Sequence, residues 1–259
     1  MIDKVEGVQY RRPAVFDGLA VTAGFSTRHG GVSGGRFRSL NLGLSTGDDD
    51  ETVRSNRAKL FESAGLDPLK VAIAGQVHGS KVRIVDAPGL YPGIDALVTQ
   101  SPGLVLAITA ADCAVVLLAD VDAGIVAAAH AGWRGTVGAI VPETVRQMRR
   151  AGAALHGLRA YISPCISLER FEVGEEVADE FANEFVVRHE EWPRPHVNLR
   201  SAIAAQLASE GVSPDRIEIS TECTYDHADY YSYRADAGDT GRMMGFIAFD
   251  SDAGTGSAD

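Results

Sequence analysis

Two apolar runs joined by a short polar turn constrain this chain most. Leu104 to Ala119 and Gly124 to Ala131 are continuous and rich in Val, Ile and Leu, and Asp120-Val121-Asp122-Ala123 links them. Runs of that length bounded by turn residues read as adjacent buried strands. The pattern predicts a hairpin, with Cys113 in its first strand and His130 ending its second. Pairing lets the two side chains approach across the sheet. Asp112 interrupts the first run. Strand alternation sends it and Cys113 to opposite faces, and a carboxylate in such surroundings needs a partner.

Apolar spacing of three to four predicts helices over Glu51 to Ala64, Thr136 to Arg150, Gly174 to His189 and Arg200 to Glu210. Asp50 and Asn198 are positioned to cap the first and last, and Gly65 and Gly211 to end them. Further strands are expected over Ala20 to Thr27, Lys81 to Asp86, Ala160 to Ser163 and Arg216 to Ser220. Hairpins mixed with helices point to an α+β fold with mixed sheets, not a regular βαβ alternation.

With 259 residues, 45% of them hydrophobic, the chain can bury a sizeable core. We expect one domain over residues 1–250 and a flexible tail, Ser251 to Asp259, of Gly, Ser and Asp. A net charge of −11, with no basic block beyond Arg11-Arg12 and Arg149-Arg150, argues against a nucleic-acid partner. Three cysteines cannot all pair within one chain and sit among apolar neighbours, which suits a reducing compartment, the cytoplasm. Neither a signal peptide nor a membrane span is expected.

Chemistry concentrates in three segments: Gln76-Val77-His78-Gly79, Ala111-Asp112-Cys113 and Ala129-His130-Ala131-Gly132-Trp133-Arg134-Gly135. Taken singly, His78 reads as a loop residue and Cys113 as a small buried hydrophobe. Taken together, one Cys and two His make a three-ligand metal site with a fourth position open, the arrangement of catalytic zinc. Arg134 precedes a helix and suits either an anion-holding turn or the capping of a neighbouring loop. Phe25-Ser26-Thr27-Arg28-His29-Gly30-Gly31-Val32-Ser33 is a strand end with a glycine-rich loop, in which Arg28 is the sharpest candidate. No GxxxxGK[ST] or GxGxxG pattern occurs in a binding context, so neither a nucleoside triphosphatase nor a dinucleotide fold is indicated. Tyr230-Tyr231-Ser232-Tyr233-Arg234 through Gly241-Arg242 suits the clamping of a planar anion, or core packing with surface charge.

In order along the chain, Ser26-Thr27-Arg28-His29-Gly30-Gly31, Asn41-Leu42-Gly43, Asn56-Arg57, Gln76-Val77-His78-Gly79, Ala111-Asp112-Cys113, His130 to Gly135, Phe171-Glu172-Val173-Gly174 and Tyr233-Arg234 through Thr240-Gly241-Arg242 resemble the YfiH-like, laccase-domain family. That family is also called polyphenol oxidase or peptidoglycan editing factor, and the resemblance runs nearly end to end. It implies mixed sheets in a sandwich-like core flanked by helices, similar to a group of cysteine hydrolases, and zinc held by His78, Cys113 and His130. It also implies phosphorolysis of adenosine, inosine, guanosine and methylthioadenosine, and deamination of adenosine. One departure is Val115, where many members carry Pro; it bears on local strand geometry and not on the ligands.

The laccase name meets an obstacle in the residues. A four-copper oxidase needs a mononuclear site and a histidine-built trinuclear cluster, commonly supplied by His-x-His pairs. This chain has seven His and no such pair, with His29, His156, His189, His196 and His227 scattered. A single site of two His and one Cys can still take up copper in place of zinc.

The leading expectation is therefore a zinc-dependent purine nucleoside phosphorylase with adenosine deaminase activity. Catalysis falls to His78, Cys113, His130 and Asp112, the last as proton carrier. Arg28, Arg134 and Arg234 are expected to supplement the metal in holding phosphate, and Gln76 and Asn41 to bond ribose or base. The first alternative is a metal-free Cys-His hydrolase acting in peptidoglycan editing, with Cys113 as nucleophile and His130 as base. The others are a copper-dependent polyphenol oxidase and a zinc-stabilised binding module. A monomer and a homodimer are both consistent with the sequence.

Overall fold

A computed structural model describes residues 2–5 and 7–250. The expected tail lies outside the described residues. In chain order the strands are β1 (Ile2–Val5), β2 (Val8–Arg11), β3 (Val21–Ser26), β4 (Val71–Gly75), β5 (Val82–Ile84), β6 (Gly89–Pro92), β7 (Ala96–Thr99), β8 (Val105–Ala110), β9 (Ala114–Asp120), β10 (Ile125–Ala131), β11 (Arg159–Ile162), β12 (Val186–Val187), β13 (His196–Val197), β14 (Ile217–Ile219) and β15 (Met243–Phe249). The helices are α1 (Asp50–Ser63), α2 (Trp133–Val137), α3 (Ile140–Arg150), α4 (Glu175–Ala178) and α5 (Leu199–Ser209). None is long and apolar enough to cross a membrane.

Two mixed sheets carry the fold, one ordered β1-β2-β3-β15-β8-β4-β6 and the other β14-β11-β9-β10-β7-β5. Their inner faces meet through Leu106, Ile108 and Ile247 on one side and Val115, Leu117, Val126 and Ala128 on the other. The alternate residues of the same strands point outward. Val105, Ala107 and Phe246 pack on Leu60 and Phe61 of α1, while Val116, Leu118 and Ala127 pack on Val145 and Met148 of α3 and Ile203 of α5. The result is a four-layer helix–sheet–sheet–helix sandwich. Strands buried on both faces are apolar at every position, which is why β9 and β10 read as unbroken runs.

The predicted hairpin forms as β9 against β10, antiparallel, with His130 opposite Val115. The preceding half of the apolar run does not belong to it. Leu104 to Ala119 breaks at Ala111-Asp112-Cys113, and β8 and β9 lie in different sheets. Cys113 therefore sits in the crossing between sheets, not within a strand. Asp112 takes φ 79° there, so its orientation relative to Cys113 follows a turn and not strand alternation. The Val115 N–H donates to Ser163 Oγ at 2.9 Å, a bond that a proline at this position could not make.

Three helix expectations need correction. The helix after His130 divides into α2 and α3 where Ala139 adopts φ 60°. Gly174 to His189 is α-helical only over Glu175–Ala178, with a single 3-10 turn over Asn183–Phe185; Val186 and Val187 instead pair with His196 and Val197, as suits β-branched residues. The cap of α1 is Asp49, whose side chain accepts the Thr52 N–H at 2.8 Å, and not Asp50.

Candidate active site

Three segment ends converge beside the sheet crossing. His78 follows β4, Cys113 precedes β9, and His130 is the penultimate residue of β10. One donor atom from each lies within 4.8 Å of the others, and among the described residues they form the one such group of three. The His78 and His130 rings meet edge to face, 4.8 Å between centroids. Gly132 admits Cys113 to this cluster, since a Cβ at Gly132 would lie 2.7 Å from Cys113 Sγ.

Behind the cluster stands Asp95, fully buried at the entry to β7. Its Oδ1 is 3.0 Å from His130 Nδ1, and its carboxylate accepts the N–H groups of Val77, His78 and Gly79. Those bonds outweigh the effect of burial and hold the Asp95 carboxyl below its ordinary range. Burial raises the Cys113 thiol, but the His130 and His78 imidazoles more than reverse this and bring it down to about 6. Burial disfavours charge on His130, yet Cys113 and Asp95 together raise its pKa. A thiolate with two imidazoles, one fixed through its Nδ1, is a donor set that fits a zinc or similar ion with a position left open.

The cluster opens on a cavity of about 810 Å³, large enough for a small organic ligand. Gln76, Asp112, Arg134 and Arg234 line it, as the sequence led us to expect. Asp112 has the partners its burial required: Oδ1 accepts the Thr224 hydroxyl at 2.7 Å and Oδ2 the Arg234 N–H at 2.6 Å. Gln76 is committed to β8, with its amide bonding the backbone N–H and C=O of Thr109. Arg134 stacks over Trp133, and Arg234 donates to the carbonyl of Glu172 at 3.0 Å.

Arg28 and Asn41 are not among the lining residues. The Arg28 guanidinium lies over the Tyr231 ring, donates to the Arg38 carbonyl and faces a second hollow with His29 and Arg38. Asn41 is fully buried; its Oδ1 accepts the N–H groups of Gly43 and Arg242, so it braces the cavity wall from behind. Arg242, at the end of the segment expected to clamp a planar anion, also lines the cavity, and so do Arg194 and Glu172, which were not among the expected ligand contacts. Asp95 was missed as well, although an acid between Ile94 and the apolar Ala96-Leu97-Val98 was a usable signal.

The family described as multi-copper polyphenol oxidoreductase laccase matches residues 22–250. A purine nucleoside phosphorylase of Deinococcus radiodurans is 46% identical over 233 residues, covering 88% of this chain and 89% of that one. One from Streptomyces coelicolor is 41% identical over 232 residues, covering 88% and 95%. Among solved structures, YlmD from Geobacillus stearothermophilus superposes with a TM-score of 0.88 at 33% identity, over 96% of this chain and 98% of that one. The YfiH protein of Bacillus licheniformis gives 0.86 at 29%, over 96% and 99%. Matched along most of its length in sequence and in fold, the chain belongs to the laccase-domain, YfiH-like family.

Proposed function

We propose that residues 1–250 act as one zinc-dependent purine nucleoside phosphorylase, accepting adenosine, inosine, guanosine and methylthioadenosine, with adenosine deaminase activity at the same site. One observation carries the reading: the His78/Cys113/His130 cluster opens on a cavity lined by Arg134, Arg194, Arg234 and Arg242, in a chain of net charge −11. Concentrating guanidinium groups in one cavity against that background suits an anionic co-substrate. The names of the Deinococcus and Streptomyces relatives supply the reaction.

His78, Cys113 and His130 would hold the ion, which supplies Lewis acidity and lowers the pKa of water. The arginines hold phosphate against the ribose. Phosphorolysis joins a phosphate oxygen to C1′ while the bond from C1′ to the purine breaks; the electron pair leaves with the base, which takes up a proton. Asp112 lines the cavity next to Cys113 in sequence, which supports a role for it as proton carrier. Its bonds from Thr224 and from the Arg234 N–H fix the side chain and leave acceptor capacity on both oxygens.

A second reading has its own support. Cys113, His130 and Asp95 form a thiol–imidazole–carboxylate chain of the kind that serves nucleophilic catalysis without metal. His78, a second imidazole facing the thiol, has no part in such a chain and favours the metal reading. A four-copper oxidase is disfavoured because the described residues offer no further cluster of three donors.

Incubating the zinc-loaded protein with adenosine, with and without phosphate, and separating the products tests the reading. We expect adenine and ribose 1-phosphate only when phosphate is present, and inosine in either case, passing on to hypoxanthine when phosphate is present. Failure to consume any purine nucleoside would overturn it.

A further inference from the structure

We propose that Asp95 is the positioning residue of the metal centre, fixing both imidazole ligands at once through a single buried carboxylate. This rests on the reading that His78, Cys113 and His130 hold a metal. His78 adopts φ 59°, a conformation that non-glycine residues seldom take and that persists only where the surroundings over-determine it. Here the constraint is visible. Three successive N–H groups, of Val77, His78 and Gly79, converge on the Asp95 carboxylate at 3.2, 2.9 and 2.8 Å. The same carboxylate meets His130 Nδ1 at 3.0 Å, and the His130 N–H donates to the Asp95 carbonyl at 2.8 Å.

The arrangement has two chemical consequences. With the Nδ1 proton held toward Asp95, Nε2 of His130 is the nitrogen left free to bind a metal. A charged carboxylate is also the side chain that can accept from every one of these donors at once. An amide of the same shape cannot. With its oxygen toward His130, its NH2 faces the backbone donors of the His78 turn; reversed, its NH2 donates to Nδ1 and drives the imidazole proton onto Nε2. Either orientation disturbs one ligand, so Asp95→Asn should damage the centre while conserving volume.

Metal-stripped protein titrated with Co²⁺ against a chromophoric chelator provides the test, read out as affinity and as the visible spectrum of the bound ion. The intact chain should bind one equivalent. Asp95→Asn should bind roughly 10–100-fold more weakly and with an altered spectrum. Gly79→Ala is the milder companion: its Cβ would lie 3.3 Å from Asp95 Oδ2 and 3.6 Å from Val77 Cγ2, pressing on the clasp without removing charge. It should cause a smaller loss in the same direction. Wild-type affinity and spectrum in folded Asp95→Asn would overturn the proposal, leaving Asp95 as an anchor of the turn alone. If Asp95→Asn does not fold, the same result in Gly79→Ala overturns it. Absence of Co²⁺ binding by the intact chain would instead overturn the metal site, and this proposal with it.

Discussion

Cys113 and Cys165 show how surroundings decide what one residue type does. Cys113 is half-buried between two imidazoles that draw its thiol down to about 6, whereas burial pushes the Cys165 thiol up to about 11. The thiolate is the reactive form. A thiol whose pKa is lowered is charged above that value and protonated below it. In metal-stripped protein, iodoacetamide should therefore modify Cys113 at neutral pH, with the rate falling as pH drops through about 6. Cys165 should stay unmodified throughout. In the zinc-loaded protein Cys113 should be protected until chelator is added, and peptide mass mapping distinguishes these outcomes. Rapid modification of Cys113 in zinc-loaded protein would favour the Cys-His hydrolase.

At the scale of elements, sequence pattern located what local chemistry controls. Asn198 caps α5 as its residue type suggests, with its side chain accepting the Ser201 N–H at 3.1 Å. Asn198→Ala should therefore cost about 1 kcal/mol in urea unfolding. The β9–β10 hairpin was likewise legible, because both strands and their turn are contiguous in the chain. What pattern could not give was direction. An apolar run reports burial and says nothing of the layer in which each half is buried, so the sheet crossing at Asp112 was hidden inside Leu104 to Ala119. In Gly174 to His189 the spacing of Val177, Phe181 and Phe185 mimicked one continuous helix, yet these side chains reach the same core from a short α-helix, the loop after it and a separate 3-10 turn. The convergence of His78, Cys113 and His130 was legible because Cys and His are rare and chemically specific. Arg28 and Asn41, expected to hold phosphate and to bond ribose or base, do not line this cavity, because loop composition does not state where a side chain points.

For the whole molecule, the sandwich brings distant segments to one place. β15, near the end of the described chain, lies between β3 and β8, and packs across onto the sheet that carries His130. That contact is tight at Gly245, where a Cβ would stand 2.6 Å from a Val115 side-chain carbon. Gly245→Ala should overpack the seam between the sheets and cost about 1–3 kcal/mol, measured by chemical denaturation. The same convergence brings His78, Cys113 and His130 together, and under the proposed function these three would hold the single zinc on which activity depends. Returning zinc stepwise to metal-stripped protein, while following phosphate-dependent release of adenine from adenosine, tests that dependence most directly. Activity is predicted to rise linearly and to level off at about one equivalent of zinc per chain, the capacity of a single three-ligand site; full activity before any metal is added would contradict the account.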